Sequence, residues 1–320
     1  MNTIVKLINL GYPNTLKSIE LPELSIALGY FDGVHRGHQK VIDEAVKRAK
    51  EDGLKSAVMT FDPHPSVVLG KSEKHTQYIT PLEDKIRIMN QLGVDYLFVV
   101  EFTSEFANLL PQEFIDEYII SLNAKHVIAG FDYSYGRMGK GTMETLPFHS
   151  RNKFTFSVVP KLENDGVKVS STAIRLLLKE GRMTELPQFL GRYYSTTGTV
   201  IHGDKRGRTI GFPTANIDLA EDYIIPPVGV YAVKVVIDGD SHFGVCNIGF
   251  KPTFHKEAAP RPSVEVHIFD FDRDIYGQTL TIEWHKYIRG EQKFSGIEEL
   301  VAQIERDKQS SISYFEKKNG

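Results

Sequence analysis

The sequence contains a single cysteine, Cys246, so it cannot form an intrachain disulfide bond. Because Cys246 lies within an apolar run at residues 245–248, we expect it to be a small buried hydrophobic residue. No apolar run approaches the roughly 20 residues of a membrane-spanning helix, and the opening MNTIVK lacks the apolar core of a signal peptide. These features favour a protein of the reducing cytoplasm.

The sequence also lacks a large excess of charge of either sign. It has 38 basic and 41 acidic side chains, which give a net charge of −3 and a pI of about 6.4. This balance gives no support to a protein of nucleic acid or membrane surfaces, and we predict neither as a partner. With 320 residues, 41% hydrophobic and 25% charged, the chain has a globular composition and room for two ordinary domains.

Strand and helix patterns alternate from residue 24 to about residue 160. The predicted strands and helices are strands 25–28, 55–61, 95–102 and 125–131, and helices 39–51, 81–92 and 111–122. This alternation predicts an α/β unit, a parallel sheet covered by helices on both faces. Sites in such sheets gather at the carboxyl ends of strands, where His35, His64 and Asp132 fall. Two helical stretches, 171–179 and 182–190, close this half.

The pattern changes after residue 191. Short segments of β-branched and aromatic residues, separated by turn signals, predict strands at 197–202, 229–237, 242–248, 263–269 and 279–285. No long helical pattern interrupts them, so we predict a small antiparallel barrel or sandwich. The domain boundary is therefore expected near 187–192, with domains at 1–186 and 187–320.

One helix is predicted after the second set of strands. Ser295 and Glu298 have the spacing of a capping box, which marks its start. Its predicted buried stripe consists of Ile297, Leu300, Val301 and Ile304.

Residues 29–38 read GYFDGVHRGH and narrow the chemistry most. They place His35 and His38 where a predicted strand ends and a helix begins, beside backbone N–H groups and the positive end of the helix dipole. Gly33 and Gly37 remove side chains that would keep a phosphate from the backbone. Two imidazoles can donate hydrogen bonds to oxygens that gain charge in a transition state, which predicts a phosphate site. The alternative is a glycine turn with two surface histidines.

Three further segments of the first half carry groups that suit a nucleotide or a flavin. In FDPHP (61–65), two prolines hold His64 in one orientation, although loop rigidity alone would explain them. GFDYSYG (130–136) offers aromatic rings for stacking and a carboxylate for a sugar, and an aromatic-rich turn is the alternative. SSTAIR (170–175) places hydroxyls and an arginine at a helix start, as either a phosphate clamp or an ordinary N-cap would.

The densest loop of the second half, residues 203–216, reads GDKRGRTIGFPTAN. Its three glycines and three cations suit a triphosphate, although the spacing is not that of a P-loop. Thr214 and Asn216 offer neutral oxygens, which Mg²⁺ accepts beside water and phosphate. The alternative is a basic hairpin loop.

Glu265 lies in the segment SVEVHI (263–268), which alternates apolar and polar residues. If the valines face one side of this strand, Glu265 and His267 face the other. A carboxylate on the polar face of a barrel could take a proton from an alcohol. By the strand pattern alone, a residue such as Glu265 is more often a solvated face residue.

Together, these segments resemble those of the bacterial bifunctional riboflavin kinase/FAD synthetases, in order and over nearly the full length. They are GYFDGVHRGH, FDPHP, GFDYSYG and SSTAIR, then HGDKRGRTIGFPTAN, PPVGVYAV, NIGFKPTF, SVEVHIFDF and YIRGEQKF. H-x-G-H alone is shared by many nucleotidylyltransferases and class I aminoacyl-tRNA synthetases, whereas GFPTAN followed by V-E-x-H is highly specific to riboflavin kinases. Tyr133-Ser134-Tyr135 departs from the family's frequent F-x-F, which preserves stacking but could alter flavin or adenine preference.

The resemblance implies two reactions. A Rossmann-like N-terminal domain would adenylylate FMN with ATP, giving FAD and pyrophosphate. A C-terminal barrel domain would phosphorylate riboflavin with ATP, giving FMN and ADP. Mg²⁺ and ATP are the implied cofactor and co-substrate, and the sequence does not indicate an oligomeric state.

The resemblance also implies site residues. In the N-terminal domain, His35 and His38 would bind ATP phosphates and stabilise charge as pyrophosphate leaves. The implied ATP-binding residues are Gly29, Phe31, Asp32, Gly33, His35, His38, Asp132, Ser171, Thr172 and Arg175. The implied flavin-binding residues are His64, Phe131, Tyr133 and Tyr135.

In the C-terminal domain, the resemblance makes Glu265 the base toward the riboflavin 5′-hydroxyl, with Thr214 and Asn216 as Mg²⁺ ligands. The implied nucleotide loop consists of Gly203, Lys205, Gly207, Arg208 and Gly211. The residues expected near flavin or nucleotide are Tyr231, Asn247, Arg289 and Phe294.

Three other classes of protein share parts of this pattern. A nucleotidylyltransferase whose barrel only binds product would have no need of Glu265 and the Pro-Thr-Ala-Asn segment. A flavin-sensing regulatory protein would have vestigial sites, yet every catalytic position is present. A class I synthetase would need a basic K-M-S-K-S-like loop, and the sequence has none.

Overall fold

The computed structural model describes residues 4–14, 16, 21–70, 77–203, 206–250 and 262–319. The chain divides into two compact units, Met1–Ser171 and Thr172–Gly320. The predicted fold class is confirmed, because a parallel α/β sheet is followed by a closed antiparallel barrel and a C-terminal helix. Among the described residues, no helix is both long and apolar enough to cross a membrane.

The first unit is built around a parallel sheet. Its strands are β1 (Lys6–Leu10), β2 (Leu24–Leu28), β3 (Lys55–Asp62), β4 (Tyr96–Glu101), β5 (Ala124–Gly130), β6 (Ser134–Tyr135), β7 (Gly141–Thr142), β8 (Thr155–Val159), β9 (Glu163–Asn164) and β10 (Val167–Lys168). In the described chain, six of them form the sheet in the order β1-β4-β3-β2-β5-β8, and all neighbours are parallel. The chain travels outward from β2 in one direction and from β5 in the other. These two strands therefore mark the topological switch point, where sites of such sheets form.

The helices cover both faces of this sheet. They are α1 (Arg36–Asp52), α2 (Pro65–Val68), α3 (Leu82–Gln91), α4 (Ser104–Ala107), α5 (Pro111–Phe114) and α6 (Leu146–Ser150), with a 3₁₀ turn at Arg137–Gly139 and a π-helix at Ile115–Ile120. Neighbouring residues of β2 enter different cores, Ile26 on one face and Ala27 on the other. Burial on both faces explains why these strands read as continuous apolar runs.

The predicted single α-helix at 111–122 is wrong in its second half. After α5 the hydrogen bonds widen to the π spacing, as when Ser121 N donates to Asp116 O at 3.1 Å. A π segment depends on the surrounding packing, which helical periodicity in a sequence does not encode.

The second unit contains the barrel. Its strands are β11 (Tyr194–Ile201), β12 (Ala215–Leu219), β13 (Gly229–Ile237), β14 (Asp240–Gly249), β15 (Ser263–Ile268) and β16 (Thr279–Arg289). They close in the order β11-β12-β15-β14-β13-β16, and all pairs are antiparallel. Its helices are α7 (Ser171–Lys179, which begins on the last residue of the first unit), α8 (Leu186–Leu190), α9 (Arg206–Thr209) and α10 (Ile297–Asn319). The predicted helix at 182–190 is shorter than expected, since only α8 is helical.

Large aromatic residues fill the interior of the barrel. Trp284, Tyr231 and Tyr194 are fully buried, and the rings of Tyr231 and Trp284 meet edge-on with centroids 5.3 Å apart. Trp284 Nε1 donates a hydrogen bond to Thr196 Oγ1 at 3.1 Å, which satisfies the buried indole. Cys246 is buried as predicted, and burial raises the pKa of its thiol.

The start of α10 differs from the prediction. Ser295 N and Oγ donate to Glu299 Oε2 at 2.8 and 2.7 Å, so Glu299 rather than Glu298 is the capping acid. Because α10 begins at Ile297, Glu299 occupies the third helical position, where a carboxylate can reach back.

The buried face of α10 also differs from the predicted stripe. Ile297 is 67% exposed, while Leu300, Val301 and Ile304 are only half-buried. The face that packs on the barrel carries Asp307, Ser311 and Phe315. Ser311 Oγ donates to Gly244 O at 3.0 Å, so polar contacts seat this helix as well as apolar ones.

Candidate active sites

The turn after β2, at the switch point, places the two histidines at the start of α1. His35 is the N-cap residue, and its Nδ1 accepts a hydrogen bond from His38 N at 3.1 Å. A neutral imidazole that accepts at Nδ1 carries its proton on Nε2, so His35 keeps a donor there. The two rings stack with centroids 3.5 Å apart and 18° between their planes. No acidic side chain lies in the first turn of α1, all of which is described, so the positive helix dipole is not offset there.

This histidine turn, residues 29–38, has a constrained backbone. Phe31, Gly33 and Val34 have φ values of 55°, 88° and 37°, and positive φ in a β-branched residue such as Val34 is rare. A Cβ on Gly37 would lie 3.2 Å from the His35 ring, so glycine allows that ring to lie against the backbone. A Cβ on Gly29 would lie 2.8 Å from the Phe31 ring. Two of the glycines therefore leave room for neighbouring rings within the turn.

Asp32 and Ser171 tie the histidine turn to other segments of the first unit. Asp32 is 3% exposed, and its Oδ1 accepts hydrogen bonds from Ile79 N and Thr80 N at 3.0 and 3.1 Å. Ser171 Oγ donates to Asp32 O at 2.8 Å. The Asp32 carboxylate therefore holds protein backbone.

Thr172 and Arg175 follow Ser171 in α7. They belong to the second compact unit, so the helix crosses the division between the units.

A buried lysine beneath the histidine turn is a group that the sequence analysis missed. Lys85 is 4% exposed, and its Nζ donates to Tyr30 O and Thr60 Oγ1, both at 3.0 Å. Burial lowers the pKa of Lys85 to about 8, against the opposing attraction of the Asp32 and Asp62 carboxylates. An ammonium group therefore supports the backbone at the end of β2.

The strands on either side of β2, which are β3 and β5, bring aromatic groups to the same edge of the sheet. His64 follows β3, accepts a hydrogen bond from Ser66 N at 3.0 Å, and meets the Tyr30 ring edge-on at 4.3 Å. Phe131 follows β5 and is 46% exposed, with Lys168 Nζ 4.7 Å from its ring centroid. Lys168 Nζ also forms an ion pair with Asp132 Oδ2 at 2.6 Å, and Asp132 directly follows Phe131 in the sequence.

The two tyrosines of the GFDYSYG segment occupy different environments. Tyr135 is 4% exposed, its ring packs 5.5 Å from that of Phe114, and its hydroxyl bonds His149 Nδ1 at 2.8 Å. Burial raises its pKa to about 12 and also raises that of Tyr133. Tyr133 is half-buried, with its ring stacked 6.2 Å from Tyr135. Tyr135 is thus a core residue rather than an open stacking face, contrary to the expectation for it.

In the barrel, three polar residues stand side by side across adjacent strands. Asn216 on β12 pairs with Glu265 on β15, and Glu265 pairs with Asn247 on β14. Directly paired residues of antiparallel strands project from the same face, with Cβ atoms about 5 Å apart. As the alternation predicts, Val264 and Val266 are buried on the opposite face. We call Asn216, Glu265 and Asn247 the polar row.

The glycine-rich loop packs over one end of the polar row. A Cβ on Gly203 would lie 2.5 Å from Asn216 Cγ and 2.7 Å from its Oδ1, so the Gly203 backbone lies directly against this amide. A Cβ on Gly207 would overlap Phe212 O and lie 3.5 Å from Thr214 Oγ1.

The remaining predicted residues of this loop are Arg208, Gly211 and Lys205. Gly211 has a φ of 86°, and Arg208 is exposed. Lys205 lies outside the described residues.

Three other predicted residues have contacts within the protein. Tyr231 lies inside the barrel, and its hydroxyl donates to Pro227 O. Arg289 holds the buried Asp307 of α10 through Nε at 2.9 Å and Nη2 at 2.7 Å, and lies 5.8 Å from the Phe294 ring. Arg289 therefore fastens α10 to the end of β16.

The donor set around the polar row is unlike that of a transition-metal site. In the described part of the chain, no group of three or more His, Cys, Asp or Glu side chains is arranged to hold a metal. Thr214 is half-buried and Asn216 is 8% exposed, and both offer neutral oxygens. Such oxygens suit Mg²⁺, which takes one or two protein ligands together with phosphates and water.

Comparison with known proteins matches the two units to two family models. The model described as FAD synthetase matches residues 17–173, and the model described as riboflavin kinase matches residues 190–315. A bifunctional riboflavin kinase/FMN adenylyltransferase of Bacillus subtilis is 52% identical over 97% of this chain and 98% of its own. The Listeria monocytogenes relative is 50% identical over 98% and 99%, and that of Escherichia coli is 36% identical over 91% and 92%.

A solved structure also matches over nearly the whole length. A crystal structure described as a macrolide-efflux protein from Streptococcus pneumoniae is 37% identical, with a TM-score of 0.86 over 95% of this chain and 98% of that chain.

Proposed function

Because the chain belongs to the family of bifunctional riboflavin kinase/FMN adenylyltransferases, and so makes FMN from riboflavin and FAD from FMN, we propose which residues carry each reaction. The riboflavin kinase model covers the barrel, and the FAD synthetase model covers every strand of the parallel sheet except β1. The observation that carries the kinase assignment is the polar row, in which a carboxylate stands between two amides. The observation that carries the adenylyltransferase assignment is the stacked histidine pair at the switch point.

In the kinase reaction, the 5′-hydroxyl oxygen of riboflavin attacks the γ-phosphorus of ATP, and ADP leaves. Glu265 accepts the proton of that hydroxyl during the attack. Thr214 and Asn216 would hold Mg²⁺ beside the ATP phosphates, and when bound the cation would supply neutralisation of phosphate charge. Gly203 and Gly207 allow the phosphates to approach the loop backbone. The loop residues Lys205, Arg208 and Gly211 complete this nucleotide site, and Asn247, Arg289 and Phe294 lie toward the flavin.

In the adenylyltransferase reaction, a phosphate oxygen of FMN attacks the α-phosphorus of ATP, and the bond from that phosphorus to pyrophosphate breaks. His35 Nε2 and His38 donate hydrogen bonds to the oxygens that gain charge as pyrophosphate leaves. The stacked rings and the Gly37 backbone hold these donors in place before ATP binds.

Other residues of the first site shape it or hold substrate. Gly29, Phe31, Asp32 and Gly33 form the turn, and the further nucleotide contacts are Asp132, Ser171, Thr172 and Arg175. We assign the flavin to His64, Phe131 and Tyr133, whose rings are partly open, with Tyr135 supporting Tyr133 from the core.

The extent of the kinase domain is a separate proposal. A boundary near residue 187 and the division after Ser171 differ by residues 172–186, which hold nearly all of α7 and only the first residue of α8. Both helices bury apolar residues, among them Ile174, Leu178 and Phe189. We assign both helices to the barrel unit because exposing this surface would cost hydrophobic stabilisation.

The test is a time course with riboflavin, ATP and Mg²⁺ in which the flavins are separated. FMN should appear first and FAD later. Glu265→Gln should slow FMN formation by about 10² to 10⁴ and leave conversion of added FMN to FAD unchanged. His38→Ala should do the reverse, with a loss of roughly 10² to 10³ in FAD formation. Untouched riboflavin under aerobic and reducing conditions, or equal loss of both reactions in either variant, would refute the assignments.

The small-molecule partners follow from these reactions. They are riboflavin, FMN, FAD, ATP, ADP and pyrophosphate. Dependence on ATP supports a cytoplasmic location, which cell fractionation would test.

A further inference from the structure

His267 lies on the outer face of the barrel, two residues after Glu265 on β15. It is 9% exposed, and its ring is held edge-on between Phe212 and Phe269, with centroid distances of 5.5 and 5.8 Å. Residues two apart on a strand share a face, so His267 and Glu265 project from the same side. Its Nδ1 donates a hydrogen bond to Pro213 O at 2.8 Å.

This hydrogen bond continues the strand pairing beyond the last backbone pair. The β12–β15 pairing runs from Ile217–Val264 through Asn216–Glu265 to Ala215–Val266 and stops there. The next two positions in line are Thr214 and His267. At these positions the His267 side chain takes the place of a backbone pair. It reaches past Thr214 and donates its hydrogen bond to the carbonyl oxygen of Pro213.

Thr214 is consequently fixed from both sides. On its C-terminal side Ala215 is held by the strand pairing, and on its N-terminal side Pro213 is held by His267. Pro213 itself has no backbone N–H with which to join the pairing. The His267 side chain is therefore the contact that continues the alignment on this side of Thr214.

We propose that His267 is a positioning residue of the kinase, which sets Thr214 Oγ1 for the Mg²⁺–ATP complex without touching substrate itself. The proposal rests on the assignment of Thr214 and Asn216 as Mg²⁺ ligands. Since His267 acts through one ligand, its loss weakens use of Mg²⁺ and leaves proton transfer to Glu265 in place.

Three substitutions separate the hydrogen bond from ring packing. His267→Asn keeps an N–H donor close to the position of Nδ1, and His267→Leu has the same branching at Cγ without a donor. His267→Gln moves the donor one bond further out. All three remove the ring, so packing losses should be similar, whereas only asparagine can restore the bond to Pro213 O.

The experiment is an Mg²⁺ titration of FMN formation by the full chain at saturating riboflavin and ATP. We expect His267→Leu and His267→Gln to need roughly three- to tenfold more Mg²⁺ for half-maximal rate, the scale of one neutral hydrogen bond. We expect His267→Asn to lie within twofold of wild type, and the maximal rate at high Mg²⁺ to change much less than the Mg²⁺ requirement. Conversion of FMN to FAD in the same samples reports that the first unit is intact.

Equal Mg²⁺ requirements in all three variants would overturn the proposal, because His267 would then act through packing alone. So would a loss of maximal rate with an unchanged Mg²⁺ requirement. If the leucine variant does not fold, the comparison of asparagine with glutamine decides, since both are polar and only the donor position differs. Thr214→Val tests the underlying assignment separately: an unchanged Mg²⁺ requirement in that variant would refute Thr214 as a ligand.

Discussion

Replacing Gly203 by alanine should disable the kinase while leaving the fold and the other reaction in place. The added methyl group would lie 2.5 Å from Asn216 Cγ, whereas ordinary contacts of a Cβ begin near 3.4 Å. Asn216 Nδ2 would lie closer still, so the amide must move by at least about 0.9 Å, the difference between these two distances. The three nearest atoms all belong to the end of this one side chain, so the cost in stability should be small. A displacement of ~1 Å in a reacting assembly can cost ~10²-fold in rate, which is the loss we expect in FMN formation.

The assay for Gly203→Ala compares FMN formation from riboflavin with FAD formation from added FMN, in one preparation. Gly296→Ala is a matched control, since a Cβ there meets nothing within 4 Å. The control should retain both activities, and Gly203→Ala should retain only FAD formation. A kinase rate within threefold of wild type would refute the reasoning, because Asn216 would then not need its present position. Loss of both activities would show a wider disturbance than the contact predicts.

Three further predictions concern other parts of the chain. Because burial lowers the pKa of Lys85 from 10.5 to about 8, the unfolded state binds more protons between these values. The free energy of unfolding of the first unit should thus rise with pH by up to ~3 kcal/mol more in the wild type than in Lys85→Met. Denaturation of both proteins between pH 7.5 and 10.5 would measure this difference. The same dependence of stability on pH in both proteins would contradict the prediction. Asp32→Asn, which keeps an acceptor for two backbone amides, should retain FAD formation better than Asp32→Ala, and equal rates would exclude that anchoring role. A fragment of residues 172–320 should make FMN and unfold at a higher temperature than one of residues 187–320, whereas equal melting would place α7 outside the kinase core.

The fold class could be predicted because the two rhythms of the chain have direct physical causes. Strands buried on both faces of a parallel sheet must be apolar throughout, and barrel strands must alternate. The position of the histidine turn follows from the same reasoning, since a strand and a helix flank it. What periodicity could not supply was spacing that depends on packing, such as the π segment at Ile115–Ile120 and the capping of α10 by Glu299.

Individual site residues were harder to predict, because a motif does not reveal which of its side chains turns inward. Tyr135 and Tyr231 lie in motif segments but are buried, and Arg289 is engaged with Asp307. The signal for Lys85 was present, since it lies three and four residues before the core positions Ile88 and Met89 of α3. A lysine on an apolar helical face indicates a buried polar partner, and only the structure identifies that partner as the histidine turn.

Trp284 gives the barrel its own spectroscopic signal. It is the single tryptophan of the sequence, and it is fully buried within the barrel. Its emission on excitation at the red edge of the indole band therefore reports the second unit alone, while far-ultraviolet circular dichroism reports both. If the two units unfold independently, the two signals will give different midpoints in one denaturation experiment, and a single transition will mean that they unfold together.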